Sequence, residues 1–183
     1  NNPTYQNYLI TDETYNQFFE NDGTIKTTTL NETRDIRLIL GNLNNKTLLL
    51  NNNRTITIKR YHDYTQNNIT IKTENTKINM TNMSITNTNK KLVLDLNSKG
   101  NIIRQNNLTA NANAIKIENE TGIDFHYNNI NVNSNEKVTA IQILNSNETD
   151  LDYNNITTIG NNSVKSIEIL NSNMSSVDNN NII

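Results

Sequence analysis

The chain has 183 residues, 33% of them hydrophobic, with one proline, five glycines, no cysteine and a formal net charge of −2. Disorder pairs scarce apolar residues with high charge, so this composition still describes a chain that folds, and it is no linker. The absence of cysteine excludes disulfides and zinc–thiolate centres, scattered Lys and Arg give no nucleic-acid groove, and no apolar run is long enough to span a bilayer.

In chain order, no signal peptide precedes "NNPTY", which reads as the start of a mature or excised piece. Residues 1–45 read as an N-terminal segment. Within it "TDETYNQFFEND" places Tyr15, Phe18 and Phe19 at i, i+3 and i+4, one face of a short capping helix over about residues 12–20. Thr11 or Asp12 would cap its start and Asn21-Asp22-Gly23 would stop it. "RDIRLIL" and "KTLLLNNNRTITI" follow as the first strands. His62 and Asp63 in "KRYHDYTQ" fall in a loop, a position that suits binding but carries no second signal.

From residue 46 to 183 the chain repeats itself. "AIKIENETGIDFHYNNI", "AIQILNSNETDLDYNNI" and "SIEILNSNMSSVDNNNI" begin at Ala114, Ala140 and Ser166, a constant period in the solenoid range. "VLDLNSKGNIIRQNNL" from Val93 aligns without gaps to the copy at Ile115, and a fainter copy starts at Ile69. Apolar residues recur at every second position, as in Ile115 and Ile117, then Ile123, Phe125 and Tyr127, then Ile130 and Val132. That is strand alternation with one buried face. Three short strands per repeat of about 22–26 residues give an all-β fold, a parallel β-helix, open at the C-terminal end.

Residues one repeat apart should then stack. The expected inward columns are Val93, Ile115, Ile141 and Ile167; Ile103, Phe125, Leu151 and Val177; Leu108, Ile130, Ile156 and Ile182; and Tyr127 over Tyr153. Asparagine makes up about a quarter of the chain, far above ordinary usage. AT-rich codon usage would raise Lys as well, and Lys is not enriched. The positions of Asn therefore call for a physical reason. The second Asn of each closing pair, Asn82, Asn107, Asn129, Asn155 and Asn181, is expected to turn inward and form a hydrogen-bonded amide ladder. Asn97, Asn119, Asn145 and Asn171 would form a second column.

Outward on the second strand, Asp124 should lie over Asp150, beside a column of Arg104, His126, Asp152 and Asp178. Carboxylates one coil apart could hold a calcium ion or work as an acid/base pair, which makes Asp124, Asp150 and Asp152 the candidate cation ligands; a solvated, charged solenoid surface is the stronger reading. No nucleophile motif, phosphate loop or zinc pattern is present, so no enzyme and no cofactor is expected. Among the N-x-S/T sequons, Asn147 and Asn161 lie in turns and are the glycosylation candidates, while Asn82, Asn107 and Asn155 should be shielded. The chain stops on Asn181-Ile182-Ile183 partway through a coil, which suggests further coils or self-association through that open end.

The stretch "TYNQFFENDGTIKTTTLNETRDIRLILGNLNNKTLLLNNNRTITI", most specifically residues 14–58, resembles the start of adhesin-like surface proteins of methanogenic archaea. That resemblance implies secretion, cell-surface display and a right-handed Asn-rich parallel β-helix within a longer parent. It carries over no ligand residues. The expected role is an extracellular stalk or display segment that meets a surface polymer, a glycan or another cell-surface protein. A β-helix carbohydrate-active enzyme and a purely structural filament subunit are the alternatives.

Overall fold

The computed structural model describes residues 5–26, 35–173 and 175–183; Arg34, at the head of the expected strand "RDIRLIL", lies outside them. The chain winds through about six turns of a parallel β-solenoid. Each full coil contributes three strands, as the alternation requires. Strands of like position stack in parallel, at the spacing of about 4.8 Å that backbone hydrogen bonds impose.

An 8-stranded sheet collects the second strands: Tyr5–Ile10, Asp35–Leu40, Thr55–Arg60, Lys77–Thr81, Ile102–Arg104, Asp124–His126, Asp150–Asp152 and Ser176–Asp178. First and third strands form two further stacks, joined into one 11-stranded sheet. The join is the strand Gln66–Glu74, which spans a corner. Its Gln66 and Asn67 pair with Ile85 and Thr86, and its Ile71 to Glu74 pair with Leu94 to Asn97.

The N-terminal end departs from expectation in detail. A strand, Tyr5–Ile10, precedes the helix and pairs with Asp35–Leu40, so this segment already belongs to the solenoid. The helix is four residues, Tyr15–Phe18. Its start is held by Thr11 and Thr14, each backbone N–H donating to the other's hydroxyl. Asp12 instead accepts from the Asn44 N–H. Tyr15 and Phe19 are buried and stacked 5.1 Å apart, and the Tyr15 hydroxyl donates to the Thr47 carbonyl. Gly23, at φ +97°, brings its carbonyl to the Leu49 N–H.

The interior is a continuous apolar spine. Phe125 pairs with Ile103 below and Leu151 above, and Leu108, Ile130 and Ile156 run in register. Val177 and Ile182 continue these columns into the last coil but are exposed there, with no coil stacked on them. A fully buried Ile or Leu contributes about 1.5–3 kcal/mol, so this spine supplies most of the stability. One column needs correction. Ile115 pairs with Leu94, not Val93, because the turn after the Leu94–Asn97 strand is one residue shorter than its counterpart after Ile115–Glu118. Val93 is still buried, against the Ala114 level of the next coil.

The asparagine ladder is real but shifted by one residue. Asn107, Asn129, Asn155 and Asn181 stack in register on the outside, and Asn82 is also exposed. The inward residues are the first of each pair: Asn106, Asn128, Asn154 and Asn180. The reason is local. Asn82, Gln105, Tyr127, Tyr153 and Asn179 adopt the left-handed conformation at this corner, and the residue that follows each is turned inward. The third strand then begins, and because Leu108, Ile130 and Ile156 point in, strand alternation sends the Asn before each one out. The same corner exposes Tyr127 and Tyr153, whose parallel rings stack 5.4 Å apart in solvent rather than in the core.

Every buried amide of the ladder is satisfied. Asn106, Asn128 and Asn154 each donate both backbone N–H and Nδ2–H to the Oδ1 one coil on, at 2.8–3.1 Å. Their second Nδ2 protons go to the carbonyls of Met80, Ile103 and Phe125 one coil back. The ladder starts at Met83, whose N–H donates to Asn106 Oδ1.

Candidate functional site

Three outward features stand out once the coils are stacked. The first is the third-strand face. Ser84, Asn107, Asn129, Asn155 and Asn181 form one outward column, and Thr86, Thr109, Asn131 and Thr157 form the next. Amides and hydroxyls thus repeat at the coil spacing along both columns, with no charged side chain among them.

The second feature lies on the 8-stranded sheet. Asp124 pairs with Asp150, and Arg104, His126, Asp152 and Asp178 form the adjacent column, as the spacing predicts. Asp124 is engaged elsewhere: its Oδ2 accepts from the Arg104 guanidinium, with Nε at 2.9 Å. It also lies against the His126 ring. The group whose donor atoms converge is His126, Asp150 and Asp152, so the candidate cation site keeps two of its expected ligands and exchanges Asp124 for His126. The exchange follows from Arg104, which occupies Asp124 from the coil below.

The third feature is a groove of about 650 Å³ along the corner between first and second strands. Asn53, Asn75, Asn97 and Asn119 line it, with Arg54, Lys77 and Lys99. Of the second expected column, Asn119 donates its Nδ2–H to Asn97 Oδ1 at 3.0 Å. Beneath this corner sits a buried acid that the repeat pattern did not single out. Glu120 is 1% exposed. It accepts from Asn101 Nδ2 and from the Gly100 and Thr121 N–H groups. Burial pushes its carboxyl above the usual glutamate range, against those hydrogen bonds, which pull it down. An acid at the position that Ser146 and Ser172 fill in later coils is the signal that could have found it.

No family model, curated protein or solved structure matches this chain. The remaining sequence candidates are placed by geometry alone. His62 and Asp63 sit in an exposed loop, which Arg60 ties down by donating to the Asp63 and Tyr64 carbonyls. Tyr61 and Tyr64 flank it with rings nearly parallel, 6.1 Å apart. His62 is not drawn to the Asp124 cluster. Asn147 and Asn161 are exposed, as acceptor sites require; Asn82, Asn107 and Asn155 are exposed too, so the expected shielding of these sequons does not hold. Among the described residues no helix is long and apolar enough to cross a membrane.

Proposed function

We propose that this chain is a rigid display segment of an extracellular, adhesin-like cell-surface protein, and that it meets a glycan or other surface polymer along its side. The observation that carries the reading is the double column on the third-strand face. A regular array of amides and hydroxyls offers donors and acceptors in pairs at one fixed spacing, which suits a polymer of repeating hydroxylated units better than a single compact ligand. The array is anchored at one edge by the buried amide ladder, whose Asn106, Asn128 and Asn154 immediately precede Asn107, Asn129 and Asn155 on the chain. The Asn-lined groove with Arg54, Lys77 and Lys99 adds a second polar strip around the corner. The resemblance of residues 14–58 to surface adhesins points the same way.

The test is retention of the purified protein on a panel of immobilised cell-wall polysaccharides and on whole cells. The protein carrying Asn107→Ala, Asn129→Ala and Asn155→Ala together should lose at least tenfold in retention, while Lys116→Ala, on another face, should retain it fully. Equal retention of the triple variant, or no retention on any polymer or cell, overturns the proposal.

A further inference from the structure

His126 stands between two carboxylates on adjacent coils. Asp124, on its own strand, has Oδ1 2.8 Å from Nδ1; Asp150, one coil on, has Oδ2 3.3 Å from Nε2. Neither approach is aligned as a hydrogen bond. His126 Nε2 and Asp124 Oδ1 are both buried atoms with no hydrogen-bond partner. Buried polar atoms are nearly always satisfied, so the orphaned His126 Nε2 marks a partner that the side chains do not supply, whereas Asp124 Oδ1 has the Nδ1 edge of the imidazole beside it.

We propose that His126, Asp150 and Asp152 bind a divalent first-row transition ion such as Zn²⁺, with Asp124 as the positioning residue for the imidazole. The three donor atoms lie within 4.8 Å of one another. Zinc bonds of about 2.0–2.2 Å place tetrahedral ligands about 3.4 Å apart. The gap between His126 and Asp150 is already of that size, and Asp152 closes the remainder by turning its partly exposed side chain. Asp152 Oδ1 accepts from Asn179 Nδ2 at 3.1 Å, which leaves the other oxygen for the ion.

The surrounding groups fit this assignment. A carboxylate beside Nδ1 favours the proton on that nitrogen and presents the Nε2 lone pair toward Asp150, the arrangement that orients metal-bound histidines. Asp124 is fixed in turn by Arg104. Asp124, Asp150, Asp152 and Asp178 set four carboxylates against that single guanidinium, a field that attracts cations. Calcium prefers six to eight oxygen ligands, whereas one imidazole with two carboxylates suits a borderline transition ion. Because His126 belongs to one coil and both aspartates to the next, the ion joins two coils.

Calorimetric titration of the chelator-treated protein with Zn²⁺ tests this, together with nitrogen NMR of the His126 ring. One equivalent should bind, with the Nε2 resonance shifting on addition. His126→Ala and Asp150→Asn should each weaken binding at least tenfold, and Asp124→Asn about tenfold with the stoichiometry kept. Metal-free melting curves show whether each variant is folded. The proposal is overturned by the lack of a saturable site, by binding that survives His126→Ala, or by Ca²⁺ binding as tightly as Zn²⁺. It is equally overturned by a ring that stays protonated on both nitrogens in excess Zn²⁺, which would make His126 an imidazolium bridging two carboxylates. None of these outcomes touches the polymer-binding proposal, whose face lies on a different stack.

Discussion

Asn128 donates its backbone N–H and its side-chain amide to the same oxygen, Oδ1 of Asn154, at 2.8 and 3.1 Å, while its neighbour Asn129 lies in solvent. Adjacent residues of one type therefore have opposite energetic weight. Asn128→Ala strips the acceptor from the Asn106 N–H and amide and the donor from the Ile103 carbonyl. With each buried group left unmet costing about 1–3 kcal/mol, a loss of about 3 kcal/mol is expected. For a chain of this length that lowers the melting midpoint by about 6–12 °C. Asn129→Ala should stay within about 0.5 kcal/mol of the parent. Thermal melts of the two variants side by side check this, and equal losses would place the ladder elsewhere.

Two glycines give a second contrast. A Cβ on Gly160 would sit 2.5 Å from Val138 Cγ1 and 2.9 Å from the Glu136 carbonyl oxygen. Gly160→Ala must push a buried valine and backbone apart, an overpacking cost of about 1–3 kcal/mol. Gly122 has open space around it but φ +79°, so Gly122→Ala carries only the left-handed backbone cost of about 1–2 kcal/mol. Asn is tolerated in that conformation better than Ala. Gly122→Asn should therefore recover part of the loss in urea unfolding, and Gly160→Asn should not.

The solenoid was legible because its signal is doubly redundant: alternation within each strand and recurrence between coils. The same signal held the correction to the ladder. Leu108 and Asn107 are neighbours on a strand, so they cannot both point inward, and the apolar residue is the one that does. The eye follows the closing Asn-Asn-Ile, while the physics follows the corner, where a left-handed residue precedes the inward amide. That corner residue is Gln105 in one coil and Tyr127 or Tyr153 in others, so its identity does not announce its conformation. At the cation cluster, the repeat spacing aligned Asp124 with Asp150 correctly. What spacing could not reveal was the Arg104 side chain reaching along the axis to engage Asp124 and leave His126 facing its neighbours.

Glu120 makes stability depend on pH in a stated direction. Its folded-state pKa is raised by burial, so between the ordinary glutamate range and that raised value the folded chain holds a proton the unfolded chain has released. The resulting stabilisation is complete below the ordinary range and is lost as pH rises through the raised value. Glu120→Gln removes the titration. The melting midpoint of the parent minus that of the variant should therefore grow as pH falls from neutrality toward the carboxylate range. A difference that stays flat, or shrinks on acidification, means that the hydrogen bonds from Asn101, Gly100 and Thr121 outweigh burial.

Tyr15 tests the cap. Its ring is 3% exposed and stacks on Phe19, and its hydroxyl donates to the Thr47 carbonyl at 2.6 Å. Burial, and then the nearby charge of Asp22, push its pKa up to about 12. The folded chain therefore keeps this proton after the unfolded chain has begun to lose it. The associated stabilisation is present below about pH 10 and disappears as pH rises toward about 12. Tyr15→Phe keeps the ring and removes the donor, for a loss of about 1 kcal/mol at neutral pH. Tyr15→Ala also empties buried volume and should cost about 3–5 kcal/mol, the range for buried aromatics. An ultraviolet phenol titration should show one late-ionising step, near the raised value of about 12, and that step should vanish in Tyr15→Phe. If all the phenols ionise together in the folded protein, the helix does not seal the first coil.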